Sequence, residues 1–325
     1  MSSTPALIPM PFRLPVTIVF RGNSIDGLFS AVIAANKFKE SDIRYFPIGI
    51  NLKHTFPKAE DVKGRYILFC GTTVDQKTYK SWGKDVLSYC IDNNIATVKT
   101  GIWNAINSRI VEGVSVSALT WANMFPGVEF PEWLKQIDRI ERWSGVTEDD
   151  RCMREHLQKT AKLPVAGNME MAMQQALWYI NNSGVAEQYS AMVDAGKIEV
   201  DAKDIALKAI MATHGRCMIL DEVAIETWHL PREWNGLKVF IMNNTGIVVD
   251  STTAGHLAIT QLGADVYVNY RKKMLDGGVE SVAYNARARE GGVDLTKRGI
   301  FFGHPTSAGA VRRSDKTHIM PFILA

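Results

Sequence analysis

The first hundred residues alternate short β-rich runs with helix-forming stretches, and this alternation constrains the fold more than any other feature of the chain. Residues 16–20 (VTIVF) are a strand-length run, and residues 26–38 after them read as a helix. Residues 42–48 and 65–70 read as further strands, residues 74–93 as a helix and residues 95–99 as a strand again. Strands separated by helices point to a mostly parallel sheet covered on both faces. Ligands of such sheets sit beyond the carboxyl ends of the strands. That draws attention to residues 21–26, 71–75 and 100–103, each directly after an expected strand.

The middle changes character. Residues 114–124, 133–143, 169–192 and 201–211 carry apolar side chains at three- and four-residue spacing, the mark of helices. From Cys217 the β-signal returns at 217–220, 237–242, 247–249, 265–270 and 281–285, with a helix over 253–262. The layout expected is α/β and two-lobed: a parallel-sheet domain over 1–165, a helical connector over 166–215 and a smaller mixed α/β domain over 216–325. Hydrophobic residues at 46% and charged residues at 22% suit a soluble globular chain. Without a run of about 18 apolar residues no membrane span is expected, and the opening stretch does not read as a signal peptide. Cys70, Cys90, Cys152 and Cys217 form no CxxC pair, which fits an intracellular, reducing, cytoplasmic setting. A net charge of +3 does not announce nucleic-acid binding, so any basic binding surface must be local.

The densest chemistry lies near the carboxyl end. An expected strand delivers Arg287 at its end, with Arg289 beyond it, and Asp294 is placed to cap a short helix. A Gly303-His304-Pro305 turn then leads into Ser307-Ala308-Gly309, where small residues let backbone approach a ligand. Arginine offers bidentate contacts to phosphate, and a turn of free N–H groups completes an anion site. Upstream, Asp250-Ser251-Thr252-Thr253-Ala254-Gly255-His256 opens a helix. The whole array resembles the signature of the second domain of the DHH/DHHA1 phosphoesterase family: a strand with Ser-x-Arg-Ser, a GGVD segment and a GGGH-x-x-A-A-G loop. Ala288 and the bulky Ile300, Phe301 and Phe302 depart from it. The resemblance implies that Ser251, Arg287, Arg289, Gly303 and His304 hold a substrate's phosphate and terminal nucleotide.

At the other end, Val19-Phe-Arg21-Gly-Asn23-Ser-Ile-Asp26-Gly27-Leu-Phe-Ser30-Ala31 is similar to the family's first motif, H-x-D-x-D-G-x-x-S-A. In the family that motif gives a histidine and two aspartates to paired manganese or magnesium ions, which clamp a phosphoryl group. Here Asp26 stands, but Gly22 replaces the histidine and Ser24 the first aspartate. The second motif's aspartate falls at Gly71, and the Asp-His-His motif falls at Lys99-Thr100-Gly101. Residues 113–121 resemble the family's G-x-S-A helix, and Glu141 takes the aspartate's place in a D-x-W-like segment. Catalysis or metal binding would therefore rest on Asp26 and Glu141, with Mn2+ or Mg2+ bound weakly or not at all. Arg21, Asn23, Lys99 and Arg142 would attract an anion directly.

Three expectations follow. The first is a degenerate phosphoesterase-like protein binding a nucleotide or short single-stranded nucleic acid in a cleft between its lobes. The second is an active phosphodiesterase with a rebuilt metal site, and the third a protein that kept only the fold. His54, His214, the Lys272-Lys273 pair and Trp121, Trp133 and Trp143 read as structural or solvated, and self-association is left open.

Overall fold

The computed structural model describes residues 14–49, 56–83, 86–93, 107–163, 165, 167–274, 280–297, 301–304, 306–313 and 322. It divides into two units, Met1–Val200 and Asp201–Ala325. Among the described residues no helix is long and apolar enough to cross a membrane.

The first unit is built on five strands: β1 (Val16–Arg21), β2 (Ile43–Ile48), β3 (Tyr66–Cys70), β4 (Ser88–Asp92) and β5 (Asn107–Ile110). They lie in the order β2-β1-β3-β4-β5 with every neighbouring pair parallel. Both faces of the central strands are buried, which explains why β3 is a continuous apolar run rather than an alternating one. One face sends Ile18, Phe20, Leu68 and Cys70 into the core with helix α1 (Ile25–Lys37). That core also takes in α4 (Val116–Met124), α5 (Glu132–Arg142), α6 (Glu148–Thr160) and α7 (Met169–Asn182). The other face packs Val19, Ile67, Phe69 and Cys90 against α2 (Ala59–Val62) and the segment around α3 (Gln76–Ser81). Strand order changes direction between β1 and β3, so the crevice of the doubly wound sheet opens beyond Arg21 and Gly71.

One glycine fixes how closely α1 approaches that crevice. A Cβ on Gly27 would lie 2.0 Å from the Arg21 carbonyl oxygen, so the first turn of α1 rests directly on the end of β1. Ser30 donates its hydroxyl to the Asp26 carbonyl at 2.6 Å, and Ala31 is fully buried beside it.

The second unit carries a six-stranded sheet after α8 (Ala186–His214), whose last turns belong to it. Its strands are β6 (Gly215–Ile219), β7 (Lys238–Asn243), β8 (Val266–Met274), β9 (Glu280–Ala288), β10 (Phe302–His304) and β11 (Ser307–Arg313). They run β10-β11-β9-β8-β7-β6, antiparallel except for β7–β8, which are joined through α10 (Ser251–Thr260). A short α9 (Glu222–Thr227) precedes β7. One sheet face buries Val239, Val268, Tyr270, Tyr284, Ala286, Phe301 and Trp234 together. On the other face Phe240, Met242 and Tyr267 pack under Ala254, Leu257 and Ala258 of α10, while Asn285 farther along is exposed.

Several local expectations are corrected. Residues 74–93 do not form one helix: α3 stops at Ser81, Gly83 takes φ +101°, and the buried run SYCID pairs with β3 as β4. Sheet pairing of a fully buried β-prone run outweighs the helix-forming residues before it. β5 and α6 were not anticipated. Residues 169–192 break at Ser183-Gly184 into α7 and α8. Residues 247–249 are not a strand: Gly246 at φ +80° turns the chain, and Val248 is 99% exposed with no partner strand. The expected glycine-rich loop is instead a hairpin, with Gly303 and His304 in β10 paired to Ala308 and Ser307 of β11. Residues 95–99 and His54 lie outside the described residues.

Gly27→Ala should destabilise the chain by about 2–4 kcal/mol, because the new methyl group meets backbone and the helix must lift off β1. Urea denaturation measures it, and a variant as stable as the wild type would contradict the close contact.

Candidate functional site

Beyond the ends of β1 and β3 the chain meets its own helix termini. The first four N–H groups of a helix lack partners within it and carry partial positive charge. At α4 all of them are satisfied by side chains. Ser115 N–H donates to Asp138 at 2.8 Å, Val116 and Ser117 N–H donate to the two oxygens of Asp26 at 2.9 and 2.7 Å, and Ala118 N–H donates to the Ser115 hydroxyl at 3.2 Å. At α1, Ser24 caps Gly27 N–H at 3.0 Å and Glu141 accepts Asp26 N–H at 3.2 Å. Each helix start is thus closed by a carboxylate from another element.

The basic residues expected here are engaged too. Arg21 donates its Nε to the Gly71 carbonyl at 3.1 Å, so its side chain bridges the ends of β1 and β3. Arg142 pairs with Asp138 at 2.8 Å and reaches the Gly113 carbonyl. Trp143, at φ +53°, ends α5 in the left-handed region, with its ring 5.4 Å from the Arg154 guanidinium. Asn23 is packed against Gly49, and its Oδ1 is buried without a hydrogen-bond partner. Lys99 lies outside the described residues.

Burial raises the Asp26 carboxyl, opposed by the hydroxyl and N–H of Ser117, the N–H of Val116 and the Arg21 charge. Burial and the neighbouring Asp26 charge push Glu141 up to about 7, opposed by the Asp26 N–H, Arg154 and Arg21. Two close carboxyls hold one proton between them near neutrality. Asp26 accepts two helix N–H bonds and Glu141 one, contacts that favour the ionised form of each against its burial.

This donor set does not fit a hard cation pair. Such ions need carboxylate and imidazole lone pairs facing a common point. Here both Asp26 oxygens face N–H donors, two positive helix ends converge on the spot, and Arg21 adds a cation. Among the described residues no group of three or more His, Cys, Asp or Glu side chains is placed to hold a metal.

The second unit presents a different arrangement on the sheet face that α10 packs against. Arg287 occupies the last-but-one position of β9 and donates to the Thr252 hydroxyl at 2.8 Å. A Cβ on Gly255 would lie 2.7 Å from the Arg287 Cγ, so this glycine makes room for the guanidinium stem against α10. Ser251 is the first residue of α10, while Asp250 caps the helix by accepting Thr252 N–H at 3.0 Å and the Thr253 hydroxyl at 2.8 Å. Arg289 turns elsewhere, to Asp265 at 3.6 Å and the Ala264 carbonyl, and braces the turn before β8. Register sets Ser307 opposite Arg287 and His304 opposite Ser307. Sequence reasoning missed Thr252 as the arginine's partner, and missed Asp138 and Asp26 as caps of α4. The Ser115-Val116-Ser117 start was the available signal for a capped helix.

No protein-family model matches the chain, and no curated protein does. Among solved structures it is similar to an uncharacterized protein from Helicobacter pylori G27, at 11% identity and TM-score 0.41, covering 91% of this chain and 92% of that one. It is also similar to an exopolyphosphatase-related protein from Bacteroides fragilis, at 9% identity and TM-score 0.40, covering 91% and 86%. A third is RecJ from Thermus thermophilus in complex with Mg2+, at 10% identity and TM-score 0.38, where the match covers 91% of this chain and 46% of that one. Likenesses this distant carry nothing about chemistry.

Two outcomes test the first-unit geometry. Asp26→Ala strips both acceptors from the start of α4 and should cost about 2–4 kcal/mol in chemical denaturation, with Asp26→Asn costing roughly half of that. Glu141 holds a proton in the folded chain between its ordinary 4.5 and about 7 that the unfolded chain has released. Its contribution is therefore complete below the lower value and is lost as pH rises through the upper one. The stability of wild type minus Glu141→Gln should fall by about 1–3 kcal/mol from roughly pH 4.5 to roughly pH 8. A difference independent of pH would show that Glu141 titrates normally.

Proposed function

We propose that this chain binds the phosphate of a nucleotide or short single-stranded nucleic acid on its second unit, without metal-dependent hydrolysis. The observation that carries this reading is Arg287 seated 2.8 Å from Thr252 at the first turn of α10, its stem fitted over Gly255. A guanidinium whose plane is set by packing and a hydrogen bond suits the planar, bidentate grip on a phosphate. Asp250 takes the Thr252 N–H for itself, so the anion is held by Arg287 and side-chain hydroxyls more than by helix N–H groups. Ser307, the cross-strand partner of Arg287, and Ser251, next to Thr252 in the chain, would supply them.

The first unit supports the same reading from the opposite direction. Asp26 and Glu141 are committed to helix N–H groups, and no step of hydrolysis is routed through them.

The test is thermal stabilisation by pyrophosphate and by a short oligonucleotide in the presence of EDTA. The wild type should be stabilised, by about 2.7 kcal/mol at a hundredfold excess over Kd. Arg287→Ala should abolish the response, and Asp26→Asn should keep it from a lower starting stability. A response that appears only with added Mn2+, or release of phosphate that depends on Mn2+, would overturn the proposal.

A further inference from the structure

We propose that the outward side of α8 is the contact of a dimer, in which this helix packs antiparallel against α8 of a second copy of the chain. The contact is independent of Arg287 and its ligand.

α8 is a single helix of 29 residues, and its two sides suit different surroundings. On one side Met192 is buried in the core of the first unit, and Leu207 and Met211 in that of the second. The other side of such a helix normally carries charged and polar residues. Here it carries Ala195, Ile198, Ala202, Ile205, Ala209 and Ala212, every one of them exposed. Ile198 is 69% exposed and Ile205 71%. Their spacing alternates three and four residues, the period that keeps one seam of a helix turned toward a partner helix. Scattered exposed apolar side chains need no explanation, but two isoleucines two turns apart in a continuous apolar seam do. Charged residues flank the seam, with Asp194, Asp201 and Lys208 along one edge and Glu199 on the other.

The order of large and small residues selects both the occupant and its direction. Ala195, Ala202 and Ala209 are one set of seam positions, and Ile198, Ile205 and Ala212 are the other. In an antiparallel pair each set faces the opposite set. The layers are then Ala195 on Ala212, Ile198 on Ala209 and Ala202 on Ile205 of the other copy, each formed twice about the two-fold axis. Every isoleucine fills the space left by an alanine, as large and small residues interdigitate in a packed core. A parallel pair would stack isoleucine on isoleucine and alanine on alanine, which ask for different separations of the two helices. The charges agree. The antiparallel register brings Asp201 beside Lys208 of the other copy, twice by symmetry, whereas a parallel one brings Asp194 beside Glu199. Rim charges of this kind choose partner and orientation more than they add affinity. A self-complementary contact closes at two subunits, so a dimer is the whole assembly it forms.

The experiment is sedimentation equilibrium of the full chain over a range of concentrations. The wild type should pass reversibly from monomer to dimer. Ile205→Glu should weaken the dimer about a hundredfold, because each of the two copies loses a buried isoleucine. Its helix content by circular dichroism should stay that of the wild type, since the substitution is on the surface. Lys208→Glu should weaken the dimer about fivefold, and adding Asp201→Lys to it should restore association, because both pairs re-form with their signs exchanged. A wild type that remains monomeric at its highest soluble concentration would overturn the proposal and leave the seam to a helix of a different protein. A dimer that Ile205→Glu leaves intact at unchanged helix content would overturn it as well. A double variant that associates no more tightly than Lys208→Glu alone would overturn the antiparallel register, and the proposal with it.

Discussion

The first unit depends on the carboxylate of Asp26 lying across the start of α4. It joins the first turn of α1 to residues some ninety positions later in the chain, through N–H bonds of 2.7 and 2.9 Å. A charged acceptor at a helix start is worth more than a neutral one, because it answers both the unpaired donors and the positive end of the dipole. The cost of burying that charge is opposed but not cancelled by the same donors and by Arg21 nearby. Remove it, and the start of α4 loses two acceptors together with its link to the first turn of α1.

That arrangement also decides what the crevice does. Beyond the switch point of a doubly wound sheet, converging helix starts favour an anion. In this chain the acceptors are supplied internally, by Asp26, Asp138 and Glu141. In the second unit the arginine at the end of β9 is held by the Thr252 hydroxyl and fits against Gly255, both on α10. In the first unit the carboxylates turn inward to helix starts, and in the second the Arg287 guanidinium is bound to a hydroxyl on α10.

Much of the fold was legible because hydrophobic period and punctuation agreed. VTIVF, YILFC and LKVFIM read as strands since buried sheet positions leave no polar face to confuse the pattern. β4 was hidden because SYCID follows a helix-forming stretch without a proline, and only Gly83 marks the boundary. Residues 247–249 misled in the other direction, since β-branched side chains mark a strand only where a partner strand exists. Arg287, Ser251 and Asp26 were visible as residues, but their partners were not. Thr252 and Ser117 become meaningful through register and helix packing, which no local pattern encodes.

The resemblance noted at Asp26, Gly27, Ser30 and Ala31 can be explained residue by residue without any reference to catalysis. Asp26 caps α4, Gly27 lets α1 touch β1, Ser30 bonds back to the Asp26 carbonyl, and Ala31 fills a fully buried position. The positions at which a metal ligand would be expected and is missing, Gly22, Ser24 and Gly71, fall in backbone turns or caps that need no imidazole or second carboxylate: Gly71 takes φ +66° against Val116, and Ser24 caps α1. What persists in the first unit is what folding requires of it. In the second unit the comparable residues, Arg287 and Gly255, fit each other where α10 packs on the sheet, with the absent Cβ of Gly255 leaving room for the arginine stem.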